Sequence, residues 1–150
     1  KMEWNIEQYI QDRPSKLRWD VKKVLVVDDD PVMRDSISRG LFLYGYDYVT
    51  ASSTWEVMEI LKSKVGRTVD LMLADLSEPG KFGMELVQNV LRLRPALPVI
   101  VVKGLKSSPT IEALRALGLT ILPKPFDPDV LDVTIKSMLP KGEAEVASGQ

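Results

Sequence analysis

Asp28, Asp29 and Asp30 stand in a row directly after an apolar run at 24–27, and Asp75 closes a second apolar run at 69–74. Two lysines follow later runs in the same manner. Lys103 comes after 98–102, and Lys124 comes one proline after 119–122. Carboxylates brought together repel and raise one another's pKa. A hard divalent cation relieves that conflict, and Mg²⁺ prefers one or two carboxylates, water and phosphate oxygens. An aspartate carboxylate can also act as a nucleophile and form an aspartyl-phosphate. That reaction needs positioning and charge neutralisation, which a metal and a lysine supply. A single Asp after a strand usually caps the next helix, and Asp30 beside Pro31 fits that ordinary role. An acidic pair, a lone Asp and a lysine on three separate strand ends are harder to explain as caps.

These groups meet only if the chain folds to bring the run ends together. Apolar runs rich in β-branched residues alternate with segments of helical period, the pattern of a parallel sheet covered by helices. Residues 24–27 read as a buried first strand, apolar on both faces. Met33, Ile37, Leu41 and Tyr44 then mark a helix face, and Gly45 its stop. Residues 46–51 read as a second, less buried strand. Ser52, Ser53 and Thr54 offer N-caps to a helix that carries Met58, Leu61 and Val65 inward. Residues 69–74 form a third strand, 77–80 a turn, 84–92 a helix ended by Pro95, and 98–102 a fourth strand. A helix over 110–117 stops at Gly118, and 119–122 make a short fifth strand. Asp127 caps a last helix reaching about Leu139, with Pro128 in its first turn.

Five such units predict an α/β fold of the flavodoxin-like doubly wound kind: a five-stranded parallel sheet in the order 2-1-3-4-5, with helices on both faces. Ligands of such sheets sit at the carboxyl ends of the strands. The first and third strands are neighbours in that order, so Asp28, Asp29 and Asp75 are expected to converge. The domain is expected over 21–139. Residues 1–20 form an N-terminal extension or linker with a short helix (Trp4, Ile6, Tyr9, Ile10) broken by Pro14. Residues 140–150 form a flexible tail.

Composition narrows the chemistry further. The 150 residues hold one ordinary domain, with 45% hydrophobic content. Absence of Cys removes thiol catalysis, thiolate metal sites and disulfides, and absence of His removes imidazole as base, zinc ligand or phosphohistidine. Any metal must therefore be held by oxygen. Twenty basic against twenty-one acidic residues give a net charge of −1, without the basic footprint of a nucleic-acid binder. The most apolar stretch, 97–102, is too short to cross a bilayer, and no secretory signal is evident, so a cytoplasmic protein with no membrane contact is expected.

Four segments carry a resemblance. VLVVDDDP at 24–31, DLMLADLSEPG at 70–80, LPVIVV at 97–102 and PKPF at 123–126 occur in the order and spacing of the receiver domains of two-component response regulators, chemotaxis-regulator-like. The similarity covers about residues 21–139. It implies a signalling phosphoacceptor, not an enzyme in the ordinary sense, that assists its own phosphorylation and dephosphorylation. By the same resemblance, Asp75 takes a phosphoryl group from the phosphohistidine of a partner histidine kinase or phosphotransfer protein. Mg²⁺ is ligated by Asp29 and Asp75, by Asp28 through water, and by the backbone carbonyl of Ser77. Lys124 pairs with the phosphoryl oxygens, the Lys124–Pro125 bond is cis, and Gly83 gives the phosphoacceptor loop its turn, although an ordinary loop glycine would look the same. Homodimers through the fourth helix and fifth strand are a further implication.

Two positions depart from that pattern. Lys103 stands where receivers place a Thr or Ser, followed by the expected small Gly104, and Ile121 stands where they place an aromatic. One residue fewer separates Gly118 from Ile121. Either the Lys103 ammonium enters the acidic pocket and neutralises Asp75 or Asp28, or its stem carries the charge out to solvent. A pseudo-receiver, an interaction module independent of phosphate, is the first rival function. The second is a phosphatase of the haloacid-dehalogenase type, whose Asp-x-Asp-x-Val pattern is met at 28–32. Against that rival, Lys103 fills its Ser/Thr position and no acidic pair follows a later strand.

Overall fold

The computed structural model describes residues 21–75, 83–103 and 109–139. Its elements run β1 (Lys23–Val27), α1 (Pro31–Leu43), β2 (Asp47–Ala51), α2 (Thr54–Lys62), a 3₁₀ turn (Val65–Thr68), β3 (Leu71–Asp75), α3 (Met84–Leu93), β4 (Val99–Lys103), α4 (Pro109–Ala116), β5 (Thr120–Pro123) and α5 (Pro128–Met138). All five strands are parallel, in the order β2-β1-β3-β4-β5. This is the doubly wound sheet that the alternation of patterns predicts. The segments assigned to an N-terminal extension (1–20), the turn at 77–80 and the tail (140–150) lie outside the described residues.

Alternation along each strand divides the interior into two apolar clusters, one per face of the sheet. Leu25, Val27, Met72, Ala74, Val99 and Val101 pack with α2, α3 and α4. Val24, Val26, Leu71, Leu73, Ile100 and Val102 pack with α1 and α5. The three central strands are therefore apolar on both faces, which is why their sequences read as unbroken hydrophobic runs. The edge strand β2 is half-buried up to Ala51.

The helix ends follow local chemistry. Asp30 caps α1 by accepting from the Val32 N–H, and Ser53 caps α2 by accepting from the Glu56 N–H. Gly45 and Gly118 follow α1 and α4 with φ of 89° and 81°, the left-handed turn that glycine takes without strain. Asp127 does occupy the N-cap of α5, but its side chain makes no capping bond there.

One expectation is corrected. Val65 does not face inward from α2; it is exposed and belongs to the 3₁₀ turn, and Val57 is the residue buried beside Leu61. The helix stops at Lys62 because Gly66 folds back against its last turn. A Cβ on Gly66 would lie 2.3 Å from the Ile60 carbonyl oxygen and 2.5 Å from the Leu61 Cα. Arg94 holds the same connection from outside, donating to the carbonyls of Gly66 (2.8 Å) and Val69 (3.1 Å). Tyr46 ties the start of β2 to α5: its buried hydroxyl donates to Asp132 at 2.7 Å, while Lys136 pairs with the other Asp132 oxygen at 3.0 Å. Burial first, and the Asp132 carboxylate second, push the Tyr46 hydroxyl pKa up.

Since backbone atoms block the space beside Gly66, Gly66→Ala should destabilise the domain by about 3 kcal/mol, the upper part of the overpacking range. A lower urea midpoint at unchanged slope would show it; an unaltered midpoint would mean that the turn can move aside.

Candidate functional site

Strand register builds the site. β1 and β3 pair directly, with Val27 opposite Ala74, so the next residues, Asp28 and Asp75, emerge side by side at the carboxyl end of the sheet. Both are buried, at 3% and 8% exposure. Lys124 follows β5, two strands away, and its backbone N–H donates to the Lys103 carbonyl at 2.9 Å. From there the ammonium crosses the end of β4 and meets Asp75 Oδ2 at 2.5 Å. The Lys124–Pro125 bond is cis, as the resemblance implied.

Asp28 is held on three sides. Its N–H donates to the Ala51 carbonyl at 3.1 Å, its carbonyl accepts from Arg34 Nη1 at 2.8 Å, and its Oδ1 accepts from the Asp30 N–H at 2.9 Å. The remaining oxygen, Oδ2, is buried with no donor among the described residues. A bond between it and the Asp75 carboxyl therefore exists only when one of the two carries a proton. Burial is the main cause that raises the Asp28 pKa, from 3.8 to about 6. The Asp30 N–H works against the shift. The shared bond and charge of Asp75 add to it, and the Lys124 charge lowers it again.

Asp28, Asp75 and Lys124 are thus brought into one cluster, and Asp29 is half-buried at the same strand end. Among the described residues no three acidic side chains form a ready cage for a metal ion. Mg²⁺ does not require one, because it keeps several waters and uses one or two carboxylates. A buried carboxylate oxygen without a donor, beside a second carboxylate, is the donor chemistry that such an ion suits. Ser77 and Gly104 lie outside the described residues. Gly83 is the N-cap of α3 in extended backbone, a conformation that does not demand glycine, and a side chain there would meet none of the described residues within 4 Å. Lys103 is half-buried at the end of β4 and makes no ion pair with another described residue. Ile121 packs against the cluster beneath α2, α3 and α4. Arg34 was not singled out by spacing. The available signal was its place on α1, six residues beyond Asp28, where the helix start returns towards the strand end.

The sequence model of the response regulator receiver domain matches residues 24–136. The chain belongs to the response-regulator receiver family. Among curated relatives, it is 36% identical over 107 residues to the DNA-binding transcriptional regulator NtrC of Escherichia coli, a match covering 71% of this chain and 22% of NtrC. It is 33% identical over 117 residues to the transcriptional regulatory protein GlrR of the same species, covering 77% of this chain and 26% of GlrR. The chain thus spans about a quarter of the length of these relatives. Among solved structures, a response regulator receiver domain protein from Clostridium thermocellum superposes with a TM-score of 0.70 at 25% identity, over 79% of this chain and 94% of that one. The chemotaxis protein CheY4 of Vibrio cholerae does so with a TM-score of 0.66 at 29% identity, over 79% and 99%. The family consists of signalling domains of two-component systems that interact with histidine kinases and generally bind Mg²⁺ at the phosphorylation site. No helix among the described residues is long and apolar enough to cross a membrane.

The raised Asp28 pKa has a sign for stability. A folded site that favours the protonated form loses nothing below the unfolded value of 3.8 and loses progressively more as pH rises through about 6. Above that, the penalty is on the order of 3 kcal/mol. Asp28→Asn should therefore be more stable than the parent at pH 7.5 by about that amount, with the gap closing near pH 4. Urea unfolding at the two pH values measures it; a gap independent of pH would contradict the assignment.

Proposed function

We propose that Asp75 is the phosphoacceptor of this domain and that the donor is the phosphohistidine of a partner histidine kinase or phosphotransfer protein. The observation that carries the reading is the Lys124–Asp75 contact of 2.5 Å across the end of β4, beside the donorless Asp28 oxygen. An Asp75 carboxylate oxygen would attack phosphorus as the nitrogen–phosphorus bond of the donor breaks. The bonding pair returns to the imidazole, which leaves neutral once it has taken a proton. Lys124 keeps the nucleophile in place before transfer and faces the phosphoryl oxygens after it. Asp29 and Asp75, with Asp28 through water and the Ser77 carbonyl, would hold Mg²⁺. When bound, that ion supplies charge neutralisation for the carboxylates and the incoming phosphoryl group.

A partner has a surface to approach beside this site. An apolar groove of about 320 Å³ lies between α1 and the start of α5, lined by Met33, Ile37, Phe126 and Leu131, and Lys124 forms part of its wall. A partner seated there would present its phosphohistidine next to Asp75. Regulation of transcription, as in NtrC and GlrR, would require an output module beyond the receiver unit. We assign no nucleic-acid contact to the domain itself; the charges of the whole chain sum to only −1.

Incubation with acetyl phosphate and Mg²⁺, followed by intact mass measurement, tests the proposal. The parent should gain one phosphoryl group that alkaline hydroxylamine removes, and Asp75→Asn should gain none. Lys124→Met should be slowed roughly 10²-fold, as for loss of one charge-stabilising group. If the parent acquires no phosphate with or without Mg²⁺, the domain is instead an interaction module of the same fold. Turnover of p-nitrophenyl phosphate would mark a phosphatase.

A further inference from the structure

Lys103 occupies β4, the strand that lies between those of Asp75 and Lys124. Asp75 pairs with Val102, so Lys103 is one residue beyond the Asp75 level, on the adjacent strand. Neighbouring strands are about 4.8 Å apart and rise about 3.3 Å per residue, which places the two Cα atoms within roughly 6 Å. The Lys124 ammonium crosses this strand end to reach Asp75. A group added to Asp75 on the side of Lys124 therefore sits over the end of β4, where Lys103 begins.

The charges at this end of the sheet distinguish the two lysines. Before phosphorylation Lys124 is committed to Asp75, while Lys103 makes no ion pair with a described residue. A phosphoryl group carries about −1.5 to −2 charge at neutral pH, so replacing the carboxylate with its phosphate adds roughly one negative charge. Alternation along β4 starts the Lys103 side chain on the face of Val99 and Val101, opposite that of Val102. A flexible four-carbon stem with a compact charge at its tip can round the end of a strand. A hydroxyl at this position could donate one hydrogen bond but could bring no charge.

We propose that Lys103 supplies a second ammonium to the phosphoryl group on Asp75, disengaged from the carboxylates beforehand and drawn over the end of β4 by the charge that phosphorylation adds. The proposal rests on the phosphoacceptor reading of Asp75. It makes Lys103 a residue that recognises the phosphorylated state, in place of the hydroxyl that the family uses there.

Binding measurements separate this role from a lysine that merely points to solvent. The probes are Mg²⁺ alone and Mg²⁺ with beryllofluoride, an unreactive stand-in for a carboxyl-bound phosphoryl group, each titrated by calorimetry into the whole chain. Lys103→Met should weaken beryllofluoride binding about tenfold or more, the equivalent of one hydrogen bond to a charged group. Mg²⁺ alone should bind the same variant as well as the parent or a few-fold more tightly, since a nearby positive charge has gone. Lys103→Arg should retain beryllofluoride affinity within a few-fold, and Lys103→Thr should fall between Arg and Met. Parent and Met variant binding beryllofluoride alike, at low and at high salt, would overturn this role and leave the phosphoacceptor reading intact. A parent that binds no beryllofluoride and takes no phosphate from acetyl phosphate would overturn both.

Discussion

Two buried carboxylates side by side, Asp28 and Asp75, are the constraint around which the carboxyl end of this sheet is arranged. Removing a carboxylate from water is expensive unless it is paired and hydrogen-bonded. Asp75 is matched by the Lys124 ammonium, and one oxygen of Asp28 is matched by a backbone N–H. The other Asp28 oxygen is not matched by any donor among the described residues, and burial, with the neighbouring Asp75 carboxylate, pushes the pKa of that group up. A site that is uncomfortable without a ligand has affinity for whatever relieves it. Here that means positive charge.

Such a cluster survives because the elements beneath it cannot relax. The residues just before each aspartate, Val26, Val27, Leu73 and Ala74, are almost completely buried and belong to both apolar clusters. A shift of Asp28 away from Asp75 would have to slide β1 against β3 or break the contacts of the Asp28 peptide with Ala51 and Arg34. Packing therefore holds the like charges together. The ion pair adds to this rigidity, since Lys124 reaches Asp75 from β5 across β4.

Much of this was readable in one dimension. The apolar runs, the glycine stops at Gly45 and Gly118, and the caps at Asp30 and Ser53 are local signals, and each is found where it was expected. Val65 was misplaced because its spacing continues the face of Met58 and Leu61, while the helix is ended by the close approach of Gly66 to the Ile60–Leu61 backbone. That is a contact between backbone segments, and hydrophobic period does not register it. Arg34, Arg94 and the Tyr46–Asp132 bond escaped notice for the same kind of reason. Each is a polar side chain that looks ordinary until its partner, distant in sequence or hidden in the backbone, is known.

The sequence by itself determined the inventory: oxygen donors with no His or Cys, an acidic run, a lone aspartate and two lysines, each closing an apolar run in an alternating α/β pattern. That much follows because residue type limits chemistry and periodicity limits secondary structure. Only the tertiary structure decided which of these groups face one another. Register put Asp28 beside Asp75, and strand order put Lys103 beneath the path of Lys124. Burial then turned an acidic run into one strained carboxylate, Asp28, one half-buried neighbour, Asp29, and one helix cap, Asp30. Three identical residues in a row became three different groups because the free energy of a charge depends on the water and the partners around it, and the fold alone sets both.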